Sequence, residues 1–367
     1  MTDSLLHQIA LTLVPQVGAI TAKTLVSYCG SAEAVFQAPK KDLLRIPGIG
    51  PAVVNSLRST APLTQAEREL LVIDQYRIDA VFYTNPQYPA RLRQCPDCPA
   101  ILFFKGSSTQ LLSAERIVGI VGTRAPTEYG KAICEELVEG LQPYNVVVVS
   151  GLAYGIDITA HRKATTLDIP NIGVLGHGLG SIYPNQHRNT AQRMVEHGGL
   201  LTEYTSATQP DREHFPMRNR IIAGLCDAII VMETAASGGS MITAELAKQY
   251  ARDIFAVPGR VRDAKSAGCN LLIKHDMAHL AESAEDIAEC MRWEEAGKHP
   301  PVQARLFPDL SPAETDILDL IRTQPEIPID ELAAESRVPA GELATHLLTL
   351  EFKGVIRTLP GKRYIVT

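Results

Sequence analysis

Ile117-Val-Gly-Ile-Val-Gly-Thr-Arg-Ala-Pro-Thr-Glu-Tyr-Gly130 decides the fold. An apolar, β-branched run, Ile117 to Val121, breaks at Gly122-Thr123-Arg124-Ala-Pro and restarts as a helical pattern with Ile133, Leu137 and Leu141 four apart. That order predicts strand, tight turn, helix. A helix N-terminus at such a turn exposes backbone N–H groups, Gly122 lets an anion approach them, and Arg124 adds a permanently charged bidentate clamp. The same glycines also suit close packing of helix on strand, so the turn alone does not identify a ligand. No G-x-G-x-x-G occurs there, and no acidic residue stands out as a ribose partner.

Outward from this stretch the pattern alternates. Strands are expected at Ile117–Val121, Val146–Ser150, Ile172–Gly176, Leu200–Glu203, Ala228–Met232 and Ile254–Val257, each separated by a helix-length segment. Continuous apolar strands between amphipathic helices specify a parallel sheet covered on both faces, with ligands beyond the strands' carboxyl ends. Val81-Phe-Tyr and Ile101-Leu-Phe-Phe run into this region without a second linker and are expected as additional strands of the same domain.

Four glycine-rich turns fall at that ligand edge. Ser150-Gly151-Leu-Ala-Tyr-Gly-Ile-Asp157 precedes Ala160-His161. A Ser150–His161–Asp157 relay would need the G-x-S-x-G elbow, which is absent, so Asp157 reads as a helix-start residue. Gly176-His-Gly178-Leu-Gly180 is a second backbone-exposed loop. His214-Phe215-Pro-Met-Arg218-Asn219-Arg220 sets an aromatic face and two guanidinium groups at a helix start, the chemistry for stacking a base and clamping phosphates. Ser237-Gly238-Gly239-Ser240 follows a strand, precedes a helix and suits an anion.

Before this core, Val14-Pro-Gln-Val-Gly18 and Ile46-Pro-Gly-Ile-Gly50 each lead into an apolar-periodic helix, Thr21–Tyr28 and Pro51–Leu57. The repeat reads as helix, glycine hairpin, helix, able to hold a phosphate without reading a base. Five basic against three acidic residues over 1–60 give 5 − 3 = +2, little charge for such contacts. A Thr, Ala and Pro-rich stretch, Ser59–Gln65, is expected as a linker.

After Val257-Pro-Gly259 the pattern fades into an acidic helix and a proline-containing linker. Helices near Pro312–Arg322, Ile329–Glu335 and Gly341–Phe352, with a hairpin of Val355–Leu359 and Lys362–Val366 turning at Pro360-Gly361, specify a winged helix. Its third helix offers Glu342, His346 and Glu351 but no arginine, and the unit's six basic and ten acidic residues give 6 − 10 = −4. That favours interaction or autoregulation over base reading.

Over the whole chain of 367 residues the net charge is −6, so any nucleic-acid role rests on a local basic surface. Seven scattered cysteines, no leader pattern and no long apolar run point to a reduced, cytoplasmic chain with no membrane contact. Cys95-Pro-Asp-Cys98 lacks a second ligand pair, and neither a metal nor a cofactor is expected.

G-x-x-G-T-R at 119–124, S-G-x-A-x-G-I-D-x-x-A-H at 150–161, G-H-G at 176–178, F-P-x-R-N-R-I-I-x-G-L at 215–225, S-G-G-S-x-I-T-A at 237–244 and V-P-G at 257–259 resemble, in order and spacing, the DprA/Smf family. The resemblance implies an α/β architecture in three parts: a helical, helix-hairpin-helix or SAM-like domain over 1–62, an extended Rossmann-like domain over 63–297, a linker over 298–307 and a winged helix over 308–367. It implies a non-enzymatic protein that binds single-stranded DNA, protects incoming strands, loads the recombinase RecA during natural transformation and dimerises through the central domain. Carried onto this sequence, it puts Arg124 and the backbone of Gly122, Thr123, Ser150 and Gly151 on phosphates. Phe215 stacks a base, Arg218, Asn219 and Arg220 line the same pocket, and Ser237, Gly238, Gly239 and Ser240 close one side. The competing reading is a phosphoribohydrolase-like nucleotide enzyme, in which Glu245 would be the carboxylate. Its P-G-G-x-G-T loop is replaced here by Ser237-Gly-Gly-Ser-Met-Ile-Thr243.

Overall fold

The structure is a computed structural model and describes residues 2–295, 310–324, 327–336, 338–353, 355–359 and 363–366. The expected linker at 298–307 and the turn at Pro360-Gly361-Lys362 lie outside the described residues. The chain divides into two compact units, 1–296 and 297–367.

Six helices open the first unit: α1 (Thr2–Leu13), α2 (Ala19–Cys29), α3 (Ala32–Gln37), α4 (Lys40–Leu43), α5 (Pro51–Leu57) and α6 (Ala61–Tyr76). Both glycine hairpins form where expected, and α2 and α5 begin at Gly18 and Gly50 with no side chain capping them. The stretch Ser59–Gln65 is not a linker but the start of α6. Pro62 occupies its first turn, where a missing N–H removes nothing the helix uses. These helices do not stand apart from the sheet. Ile9, Leu25, Val54 and Leu57 share one buried cluster with Phe82, Ile101 and Phe103 of the sheet's first strands.

The nine-stranded sheet contains β1 (Asp79–Phe82), β2 (Ile101–Gly106), β3 (Ile117–Gly122), β4 (Val147–Ser150), β5 (Asn171–Val174), β6 (Gly199–Thr202), β7 (Ala228–Met232), β8 (Asp253–Ala256) and β9 (His279–Leu280). Their order is β1-β2-β6-β5-β4-β3-β7-β8-β9. The seven from β6 to β9 are parallel, while β1 and β2 extend the sheet antiparallel. All of Ile117–Val121 and Ala228–Met232 is buried, as central strands covered on both faces require. The helices between and around them are α7 (Ala90–Arg93), α8 (Glu128–Gly140), α9 (Ile156–Thr166), α10 (Arg188–His197), α11 (His214–Leu225), α12 (Gly239–Gln249), α13 (Ala267–Lys274) and α14 (Ala284–Met291). From β3 the chain winds outward through β4, β5 and β6, then returns beside β3 as β7 and winds the other way. The reversal opens a crevice beyond the carboxyl ends of β3 and β7, the position where doubly wound sheets bind ligands.

The second unit is built from α15 (Pro312–Thr323), β10 (Ile327–Pro328), α16 (Ile329–Ser336), α17 (Ala340–Phe352), β11 (Ile356–Leu359) and β12 (Arg363–Val366). Its sheet order is β10-β12-β11, and Ile317, Ile321, Leu332, Leu347 and Leu350 form its core. A Ser311–Glu314 capping box starts α15, and Lys353 at 2.9 Å holds the Glu314 carboxyl below its ordinary range.

Candidate nucleic-acid interface

A cleft of about 720 Å³ occupies the crevice at the sheet reversal. Its mouth is aromatic and basic. Arg124 is exposed and sets its guanidinium 5.6 Å from the centre of the Phe215 ring, a cation–π distance. Tyr183 lies 5.8 Å from Phe215 on another side, and exposed Arg212 also lines the opening. Two helix N-termini face the cleft without a side-chain cap: α11, which brings Phe215 and Pro216, and α12, which brings Gly238, Gly239 and Ser240. Pro216 leaves α11 only the amides of His214 and Phe215, and Met241 N of α12 already donates to Gly238 O, so the amides of Gly239 and Ser240 and the positive dipole ends are what favour an anion there.

The expected anion seat at the start of α8 is differently built. Glu233, at the end of β7, places its carboxylate there: Thr127 N donates to Oε2 at 2.7 Å and the Thr127 hydroxyl donates to Oε1. Thr127 in turn caps α8 by accepting from Gly130 N. The helix end is therefore satisfied by an internal anion. Gly130 is required by this arrangement, since a Cβ there would sit 2.4 Å from the Glu233 carboxyl carbon. Glu233 itself adopts φ of +23°, a strained value for a residue with a side chain, and its carbonyl accepts from Thr123 N at 2.8 Å. Gly122, Thr123 and Arg124 do line the cleft, but of these it is the Arg124 side chain that is free to meet a ligand.

The cleft floor is buried and polar. Arg218, 3 % exposed, donates through Nη1 to Gly151 O at 2.7 Å and to Val174 O, and through Nε to Asn219 Oδ1 at 3.2 Å. Gly151 permits this, because a Cβ would meet the guanidinium at 2.3 Å. Asp157 accepts from Gly151 N at 3.1 Å and Ala153 N at 3.4 Å. Burial pushes its carboxyl upward, against the Arg218 charge and those amides. Burial also pulls Arg218 down to about 10, opposed by Asp157, which leaves it charged at neutral pH. Ser150 Oγ donates to Ile120 O at 2.5 Å, and His161 Nδ1 pairs with Asn171 Oδ1 at 2.9 Å. Neither is therefore set up as nucleophile and base, in keeping with the missing elbow motif. Burial depresses His161 to about 4.

The expected site residues divide accordingly. Gly122, Thr123, Arg124, Phe215, Arg218, Asn219, Gly238, Gly239 and Ser240 are brought together around one cleft. Ser150 and Gly151 lie behind its floor, holding strands and Arg218 in place. Ser237 is exposed outside it. Arg220 is also separated from it: two residues along a helix is roughly 200° of rotation, so it points away from Arg218. Its guanidinium pairs with Glu203 at 2.5 Å and donates to Asp97 O at 2.6 Å. Glu245, the carboxylate of the hydrolase reading, is exposed on α12 and does not line the cleft.

The match to known proteins follows this geometry. Residues 79–292, more than half the chain, match the family of DNA recombination-mediator protein A, with a DprA winged helix domain at 300–362 and a helix-hairpin-helix motif at 9–66. The chain belongs to the DprA/Smf family. It is 41 % identical over 222 residues to DNA processing protein DprA of Bacillus subtilis, covering 60 % of this chain and 74 % of that one. It is 34 % identical over 307 residues to protein Smf of Escherichia coli, covering 82 % and 80 %. Among solved structures, DprA of Streptococcus pneumoniae aligns with a TM-score of 0.67 at 32 % identity, over 79 % of this chain and 98 % of that one. DprA of Helicobacter pylori, whose structure concerns its single-stranded DNA binding mode, aligns with a TM-score of 0.54 at 28 % identity, over 60 % and 98 %. DNA processing is thus the role of this chain's family.

Sequence reasoning about this DprA-family chain passed over Tyr183, Asp157 and Glu233 as parts of the site, and noted Arg212 only as a neighbour of the Phe215 cluster. Arg212, three residues before the aromatic anchor, does line the cleft with it. Tyr183 and Glu233 carried none, because their partners, Phe215 and Thr127, are distant in sequence.

Proposed function

We propose that this protein binds single-stranded DNA along the cleft at the sheet reversal, protects the strand and delivers it to RecA, acting as a homodimer through the central domain. The observation that carries the reading is the pairing of exposed Arg124 with Phe215 at the mouth of a cleft flanked by two uncapped helix N-termini. Arg124 and the N-terminal ends of α11 and α12, through such amides as Gly239 and Ser240, meet successive phosphates, while Phe215, supported by Tyr183, offers a face to an unpaired base. Such stacking is worth about 1–3 kcal/mol per base and tolerates every base, so little sequence preference is expected. On the floor the Arg218 guanidinium is committed to Gly151 O and Val174 O and balanced by Asp157, so the phosphates are met at the mouth.

Arg124→Ala and Phe215→Ala test this directly. Each is expected to weaken binding of an unstructured oligonucleotide by about tenfold or more with an unchanged denaturation midpoint. Wild-type affinity in both variants places the DNA elsewhere. Delivery to RecA is read separately, as a shorter lag in RecA assembly on the strand when the protein is present; an unchanged lag removes that part.

A further inference from the structure

A second groove, of about 610 Å³, lies on the other side of the Ala125–Thr127 ridge, lined by Thr127, Tyr129, Pro258, Gly259, Arg260 and Asp263 among others. Its lining sets an exposed aromatic, Tyr129, and an exposed guanidinium, Arg260, beside two carboxylates, Glu233 and Asp263. Tyr129 stands on the first turn of α8 with 62 % of its surface exposed, a large aromatic with no buried role. Arg260 is exposed and forms no ion pair among the described residues. Lys265 reaches the ridge, donating from Nζ to Ala125 O at 2.6 Å, and its ammonium keeps two further donors.

The groove's two carboxylates spend part of their accepting capacity on the fold, and Lys265 and Arg260 supply the two cations that offset their charge. Both oxygens of Glu233 take bonds from Thr127, and Asp263 accepts from Lys265 N at 2.9 Å. The two troughs share one wall: Arg124 faces the first and Thr127 the second, three residues and so at most about 11 Å apart along the chain. A strand leaving Arg124 needs only a few nucleotides to cross the ridge. Lys265, bonded to Ala125 O next to Arg124, and Arg260 in the groove's lining supply cations at that crossing.

We propose that this groove is a second seat for the same single strand, with Tyr129 stacking a base and Arg260 and Lys265 meeting its phosphates. This rests on the reading of the first cleft. It makes the first cleft sufficient for a short strand and the groove necessary for the added affinity of a longer one.

The test compares oligothymidylates of roughly five and roughly fifteen nucleotides, bracketing common single-strand site sizes, at several salt concentrations. Proteins are the wild type, Tyr129→Ala/Arg260→Ala, Tyr129→Phe and Arg124→Ala. The double variant is expected to bind the short strand within twofold of wild type and the long strand about tenfold more weakly. Its salt slope for the long strand should be shallower by about 0.7 for the lost phosphate contact. Tyr129→Phe should keep wild-type affinity, and Arg124→Ala should weaken both lengths. If the double variant binds the long strand like wild type while Arg124→Ala weakens both lengths, the second seat is overturned and the first cleft stands. If Arg124→Ala leaves both lengths untouched, the reading of the first cleft fails, and the second seat with it.

Discussion

The mouth and the floor of the cleft are made from the same residue types in opposite environments. At the mouth, Arg124 is exposed and touches an aromatic ring. On the floor, Arg218 is buried, and the carbonyls of Gly151 and Val174 take its Nη1. An exposed guanidinium has donors left for a ligand, whereas a buried one is committed to the fold and to the Asp157 charge beside it. The mouth is thus built for binding and the floor for shape, so the two should fail differently when altered.

The largest expected effect is on the floor. Arg218→Ala leaves Asp157 buried without its compensating charge and frees two carbonyls, which should cost about 3–5 kcal/mol in urea denaturation. A loss below 1 kcal/mol would mean that the floor is not held by this residue. At the mouth, Arg124→Ala combined with Phe215→Ala should lower affinity by about a hundredfold while leaving the denaturation midpoint in place. Glu233→Ala sits between the two regions. It empties the anion seat of α8 and frees the Arg124 turn, so affinity should fall by roughly tenfold, with stability lowered by about 1–2 kcal/mol. Loss of stability alone would show that Glu233 does not position Arg124.

Acid sharpens the comparison further. The folded pKa of His161 lies near 4, below the ordinary value of 6.5. Between those values the unfolded chain binds a proton that the folded chain does not, so stability falls as pH drops from about 6.5 toward 4, by up to a few kcal/mol. His161→Asn should flatten denaturation midpoints over that window; an unchanged slope would shift the cause to other groups. The smallest effect concerns the second unit. Leu348 and Phe352 are 55 % and 83 % exposed on α17, which also carries Glu342 and Glu351. Leu348→Ser with Phe352→Ser should leave DNA affinity within twofold, as expected if that acidic face serves contacts other than DNA.

Much of this was readable in the sequence because it depends on local pattern. Alternating apolar runs such as Ile117–Val121 and Ala228–Met232 locate a parallel sheet and its ligand edge without any contact information. Conjunction of Arg124 with Phe215 followed from both lying at that edge. Three features were not readable. The carboxylate that fills the start of α8 comes from Glu233, 106 residues from Thr127. Arg220 looked equivalent to Arg218, yet helical rotation turned it to Glu203 instead. Ser59–Gln65 has a linker's composition, while Pro62 in a first turn is also a helix start. In each case the deciding partner lay far away, or one composition served two structures.

The central claim, a cleft that accepts unpaired strands, is tested most directly by measuring affinity for one sequence as a single strand and as a duplex at one fixed salt concentration. The duplex hides the base faces that Phe215 would stack, so the single strand is expected to bind at least about tenfold more tightly. Equal affinity for the two forms would contradict the account.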